Sequence, residues 1–438
     1  MQPCIAAGIP YIFLINLKGT GLDVVNLLIA IFSALLTVAV FTVAYRETRE
    51  VLYNRRRDDF SLLGKILAKD SPNIRLQLRE YDVNGNADYC VSYLIHARDW
   101  NHIKGTRLMK IESLLLVADD SPQDYKSILQ FIARSKYLPL GNRTIVDNLR
   151  IIEDSKIYDL PSYAVSAIHV EEKGIKIGVK KGYYFDWVNT CFGYGYEAAY
   201  QLMLQRTGNN KKKELKMRIK FPITDLKNRF ALIGILTLVV IKNIKMPGKN
   251  EENIFLIHKR GQNVAESRGL INAVPGGTFQ PSHYCSSLPL VEALEVEGVK
   301  HTIIREFGEE VFSIEEFSEL SRPEQLQGSV FWAMLNDNIY YLGCGINPIN
   351  AYLEVLTCAV IDMQDQASKK YFGNRTLNAF ERKLSPNFEG EIFVKPFNRE
   401  ALEYYEKMYL AAPALKQICK IILEDYDSIT DQIGVSKK

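Results

Sequence analysis

The hexapeptide Arg305-Glu306-Phe307-Gly308-Glu309-Glu310 places three carboxylates at spacing i, i+3, i+4, so on a helix Glu306, Glu309 and Glu310 share one face. Carboxylates held that close repel one another. A divalent cation such as Mg²⁺ or Mn²⁺ relieves the repulsion, because hard cations favour oxygen ligands. The chemistry these residues point to is binding of a hard divalent cation through carboxylate oxygens. The same pattern also occurs on helix faces that make only surface ion pairs. Upstream lie Lys259 and Arg260, at the end of an apolar segment that points toward Pro275-Gly276-Gly277-Thr278. Two cations beside a Gly-Gly turn make a reasonable phosphate clamp, or simply solvated strand-end charges. Further back, Tyr183, Tyr184, Phe185 and Trp187 concentrate aromatic rings. Tyr184 and Trp187 are candidates for a base-stacking platform, where each stacked base is worth about 1–3 kcal/mol. Alternating aromatics equally pack a core.

These residues need elements to position them. The carboxylates fall in a predicted helix over residues 299–312. Apolar, β-branched runs at 230–241 and 254–258 read as core strands and 353–362 as a further strand, while 271–274 leads into the turn at 275–278. Residues 165–169 and 175–179 flank a turn and read as a hairpin; 114–118 reads as a further strand and 124–134 as a helix. Residues 74–81 and 89–95, either side of Asn84-Gly85-Asn86, form a second expected hairpin. A short helix is expected over 58–70, another over 197–204, a polar loop over 209–213, and a helical C-terminus over 397–426 interrupted by Pro413. The class is α/β: an α/β sandwich preceded by an α+β region and an N-terminal membrane helix. The expected borders are 1–57, 58–150, 151–228, 229–400 and 401–438.

The N-terminus differs from the rest. Residues 24–45 carry no charge, and Arg46, Arg49 and Arg55-Arg56-Arg57 follow. About 22 residues at 1.5 Å each span a ~30 Å hydrocarbon core. The arginines place the C-terminal side in the cytoplasm, giving a single pass with the N-terminus outside. Residues 4–15 form a shorter apolar stretch containing Pro10, suited to a second thin membrane helix or to the interface. Ala30, Ser33, Ala34 and Thr37 make a strip of small residues, the kind of face along which membrane helices associate into homo-oligomers. The net charge of +3 over 438 residues excludes a polycation built for DNA or RNA. Seven scattered cysteines without CxxC fit reduced thiols, not a zinc site or disulfide framework.

The carboxylate segment resembles the second half of the Nudix box. Arg305-Glu306, apolar Phe307, Gly308 and Glu309-Glu310 match its end, and Glu297 stands eight residues before Arg305, where the signature has its first Glu. The departures are Val291 where Gly is expected, about 14 residues inserted after Gly277, Phe312 at the closing Gly and Ser313 at the next apolar position. The resemblance implies that Glu306, Glu309 and Glu310 hold Mg²⁺ or Mn²⁺ and that Arg305 orients a Glu. One of these carboxylates, or Glu297, would be the general base if the protein is a hydrolase. With Pro161-Ser162-Tyr163, Gly182 to Trp187, Ile254 to Arg260, Val274 to Pro281 and the anchor, the chain is similar to the transmembrane-Nudix effectors of cyclic-oligonucleotide-based antiphage signalling systems (CBASS). That likeness implies a bacterial inner-membrane protein. It further implies that a partner nucleotidyltransferase makes a cyclic oligonucleotide, that the Nudix-like domain binds it, and that oligomerised membrane segments breach the bilayer. The alternative is a membrane-tethered, Mg²⁺-dependent Nudix hydrolase acting on a nucleoside diphosphate derivative. The split box favours the sensor over the enzyme, since hydrolysis needs a rigid loop–helix–loop.

Overall fold

The computed structural model of the chain describes residues 29–47, 62–63, 65–66, 108–135, 144–153, 158–171, 174–207, 215–246, 248, 250–261, 269–314, 322–373, 380–381 and 390–435. The apolar stretch 4–15, the start of the expected span, the hairpin expected over 74–95 and the loop 209–213 lie outside the described residues. The chain divides into two compact units, Met1–Asp58 and Asp59–Lys438.

In the first unit, helix α1 (Ile29–Glu47) has 19 residues and a mean hydropathy of 1.9, and is exposed along its length. It is long and apolar enough to cross a membrane. The helix runs past Tyr45 and takes in Arg46. It carries Ala30, Ser33, Ala34 and Thr37 at a spacing that puts them on one face. An unpaired hydroxyl in hydrocarbon is costly. Thr37 Oγ1 donates to the Ser33 carbonyl at 2.8 Å and Thr42 Oγ1 to that of Val38 at 2.7 Å, so both hydroxyls are satisfied within the helix.

The second unit is built on a mixed sheet of β1 (Met109–Lys110), β2 (Leu114–Ala118), β3 (Pro161–Glu171), β4 (Gly174–Tyr183), β5 (Ala231–Lys245), β6 (Glu251–Arg260), β7 (Ile271–Ala273), β8 (Gly276–Thr278), β9 (Ile339–Ile346), β10 (Leu353–Asp362) and β11 (Gly390–Pro396). The main path is β1-β9-β10-β5-β3-β4-β2; β6 and β8 also pair with β5, and β7 and β11 with β6. β10 runs parallel to β5 and β2 parallel to β4; the other pairs are antiparallel.

β5 explains the apolar run at 230–241. Every residue from Ala231 to Ile241 is buried. Ile233, Ile235, Val239 and Ile241 enter one core, while Leu236, Leu238 and Val240 enter another. A strand covered on both faces reads as continuous apolar sequence instead of alternation. Fully burying one such side chain contributes about 1.5–3 kcal/mol. Thr237 is tolerated there because its hydroxyl meets that of its register partner Thr357 at 2.8 Å.

Helix α2 (Tyr184–Arg206) and the carboxylate helix pack into the first core. Three C-terminal helices, Arg399–Lys407, Pro413–Glu424 and Tyr426–Gln432, pack into the second. The unit is thus a sheet with helices on both faces. The borders expected near 150, 228 and 400 fall inside this one unit. β3 pairs with β5 through Ala164↔Leu232 and Val165↔Ala231, and the C-terminal helices bury against β5 and β10.

Three local expectations are corrected. Residues 276–278 are a strand paired with β5, not only a turn. The aromatic segment from Tyr184 is the first part of one long helix continuous with the 197–204 stretch. The interruption expected at Pro413 falls at 408–412, and Pro413 itself starts the next helix, at the first turn where its missing N–H costs nothing. Cys191, Cys285, Cys344, Cys358 and Cys419 are free and buried.

Candidate functional site

The Gly-Gly strand and the carboxylate helix meet at this site. β8 lies on β5 with Ile235↔Gly277 and Leu236↔Gly276. The chain then makes a short turn at Cys285–Ser287 and helix α3 (Leu290–Val296). The inserted residues are therefore structured. Lys181 Nζ on β4 donates to the carbonyls of Ser286 at 2.6 Å and Leu288 at 3.1 Å, tying this segment to the sheet. Glu297 caps the end of α3, and Gly298 opens helix α4 (Val299–Glu306).

At Glu306 the helix widens into a π-turn, Phe307–Val311. A π-turn holds one residue more than an α-turn and is frequent at functional sites. It accounts for the departures at 312 and 313. The left-handed residue that closes the helix is Ser313 (φ 53), one place later than the signature's Gly. Phe312, at φ −118, sends its ring into an aromatic cluster. It stacks on Phe331 at 5.4 Å and meets Phe307 edge-on at 5.2 Å.

The three carboxylates are not left facing one another. Arg305 Nη2 donates to Glu306 Oε1 at 2.7 Å and Nη1 to Glu309 Oε2 at 2.8 Å. Arg260, at the end of β6, donates from Nη1 to Glu310 Oε1 at 3.1 Å. The Gly276 backbone N–H donates to Glu310 Oε2 at 2.7 Å. These side chains are mostly withdrawn from water, between 6% and 18% exposed, so the charge-assisted bonds are poorly screened. Burial works against the Arg305 charge, but Glu306, Glu309 and Glu297 outweigh it and raise its pKa. Glu297 accepts from the Ser282 N–H at 2.8 Å and lines a small cavity with Arg305, Gln280, His301 and Thr302. Burial, aided by Lys300, lowers the His301 pKa.

Gly276 and Gly277 are crowded for separate reasons. A β-carbon on Gly276 would lie 2.6 Å from Leu236 Cδ1, and one on Gly277 would fall 2.5–2.8 Å from the Glu306 carboxylate. The turn is glycine-rich because the carboxylate helix sits directly on it.

The structure thus brings together Arg260, Gly276, Gly277, Glu297, Arg305, Glu306, Glu309 and Glu310. It separates Lys259, Tyr184 and Trp187 from them. Lys259 points to the opposite face of β6 from Arg260, as alternation demands, so the two do not form one clamp. Trp187 is fully buried. It stacks on Tyr352 at 4.5 Å, meets Phe192 edge-on at 4.6 Å and donates from Nε1 to the Asn350 carbonyl at 3.0 Å. Tyr184 packs against it at 5.1 Å. Trp187 is core, with no face open to a base, and Tyr184 is partly buried against it.

The chain matches no protein-family model, and no curated protein matches it. A solved structure of a mutT/nudix family protein from Listeria innocua is similar to it, at 17% identity over 44% of this chain and 96% of that chain, with a TM-score of 0.24.

Residues that mattered and were not singled out from sequence are Lys181, Ser282, Arg218 and Arg229. Arg229 is buried and donates to the Ala351 carbonyl at 2.7 Å; Arg218 reaches the Pro348 carbonyl at 2.6 Å. With Trp187 they grip the loop before β10. Lone basic residues in a polar stretch give no signal of such roles.

Proposed function

We propose that this chain is a membrane-anchored nucleotide sensor whose larger unit has a Nudix-like site that binds and does not cleave. The observation that carries this is the pairing of Glu306 and Glu309 with Arg305 and of Glu310 with Arg260. A hydrolase of this type needs those oxygens to place metal and water in line with a diphosphate. Here one oxygen each of Glu306 and Glu309 is held by Arg305, and both oxygens of Glu310 are held by Arg260 and the Gly276 N–H.

On this reading the ligand is a cyclic oligonucleotide made by a partner nucleotidyltransferase during phage infection. The protein sits in the bacterial inner membrane with the larger unit in the cytoplasm, anchored by α1. A ligand that favours the oligomer-competent state shifts the population toward it. Association of α1 through the face of Ala30, Ser33, Ala34 and Thr37 then disrupts the bilayer.

The test is calorimetric titration of the full chain in detergent with cyclic di- and trinucleotides, beside a product assay on nucleoside diphosphate derivatives. Binding of at least one cyclic nucleotide without product is expected. Turnover of a diphosphate that Glu309→Gln and Glu310→Gln both abolish overturns the sensor reading in favour of the hydrolase.

A further inference from the structure

The carboxylates suit a hard cation by chemistry but not by arrangement. Among the described residues, no group of three His, Cys, Asp or Glu side chains is placed to hold a metal ion. The guanidinium groups account for this. Arg305 draws an oxygen from each of Glu306 and Glu309 to its own two terminal nitrogens. Glu310 turns the other way, to Arg260 and the Gly276 N–H. We propose that Arg260 is the resident counter-cation of this site: it takes the place beside Glu310 that a divalent ion would need, and so stands in for metal at that carboxylate. This rests on the reading of the Gly276–Gly277 strand and the Arg305–Glu310 segment as one binding site.

Three features support the assignment. First, the pair is enclosed, with Arg260 18% and Glu310 6% exposed, so an incoming ion would have to expel a guanidinium from a largely dry place. Second, both ends of the bridge are fixed. The Arg260 N–H donates to the Leu270 carbonyl at 2.9 Å, and its carbonyl accepts from the Gly269 N–H at 3.0 Å, so the guanidinium starts from an anchored backbone. Gly276 is held in register against Leu236. Third, Arg305 does not substitute for it, because its terminal nitrogens are engaged with Glu306 and Glu309. A guanidinium offers one charge in a planar fork, whereas Mg²⁺ and Mn²⁺ demand an octahedron of oxygens. The arrangement serves the first and not the second.

The test is titration of the full chain in nanodiscs with Mn²⁺ alone, read by the spin-resonance signal of the free ion and by the melting temperature with and without Mn²⁺. Wild type is expected to leave the free-ion signal and the melting temperature unchanged. Arg260→Gln exposes Glu310 and is expected to bind Mn²⁺ about tenfold or more tightly than wild type, with a melting temperature that now rises on Mn²⁺ addition. Arg260→Lys keeps a cation beside Glu310 and is expected to behave as wild type. Stoichiometric Mn²⁺ binding by wild type that is lost in Glu310→Gln overturns the proposal, and needs no Arg260 variant to fold. So does a folded Arg260→Gln protein that gains no Mn²⁺ binding. No nucleotide enters this experiment, so a failure to bind cyclic nucleotides would overturn the functional reading while leaving this result to stand or fall separately.

Discussion

The Glu306 carboxylate lies against the α-carbon of Gly277, so close that a β-carbon there would come within 2.5–2.8 Å of it. Gly277→Ala must therefore displace Glu306 from Arg305 or push β8 off β5. The expected cost is about 1–3 kcal/mol, as for other overpacked sites, measured by thermal denaturation of the full chain. Gly328→Ala is the control. Its backbone is right-handed and a β-carbon meets only ordinary contacts, so the variant is expected to gain about 0.4–1 kcal/mol through the unfolded chain.

The π-turn makes a second prediction. Ser313 holds a left-handed backbone at φ 53 where the helix closes. Glycine adopts that conformation without the steric cost of a β-carbon, about 1–2 kcal/mol. Ser313→Gly is expected to raise the melting temperature, and Ser313→Val to lower it.

How much of this was legible in the sequence depended on whether the deciding interaction was local. The spacing of Glu306, Glu309 and Glu310 predicted their helix, and the β-branched run predicted β5, because both signals lie within a few residues. The partner each carboxylate takes is a long-range matter. Arg260 reaches Glu310 across 50 residues of chain and Gly276 across 34. Nothing in Arg305-Glu306-Phe307-Gly308-Glu309-Glu310 distinguishes a metal cage from an arginine-locked cluster. The one-residue offset at Phe312 looked like loss of the closing glycine, since a π-turn has no sequence signature. Trp187 was ambiguous because a stacking platform and a packed core use the same rings.

Trp187 separates those two roles experimentally. Its ring stacks on Tyr352 and its Nε1 holds the Asn350 carbonyl. Trp187→Phe keeps most of the packing and loses the hydrogen bond, for an expected cost of about 0.5–1.5 kcal/mol. Nucleotide affinity of the folded variant is expected to match wild type. A selective loss of affinity with stability unchanged would make the ring a ligand contact after all.

Glu354 gives a pH dependence. It sits on β10 between Gly234 of β5 and Gly345 of β9, where burial pushes its carboxyl up to about 7 against the opposing hydrogen bond from Asn347. The folded state therefore holds this proton more tightly than the unfolded chain, whose carboxyl titrates near 4.5. Its contribution is fully present below that value and is lost as pH rises through about 7. Melting temperatures across this window are expected to fall with pH in wild type. The slope is expected to be shallower in Glu354→Gln.

The central claim is that ligand binding by the larger unit acts through the membrane segment. Its most direct test is dye release from liposomes carrying the purified full chain, with cyclic di- and trinucleotides added one at a time. The account predicts that at least one cyclic nucleotide triggers release. Replacing Ala30, Ser33 and Ala34 with leucine is expected to suppress that release while leaving binding intact. Tight binding of a cyclic nucleotide with no release from any liposome would contradict it.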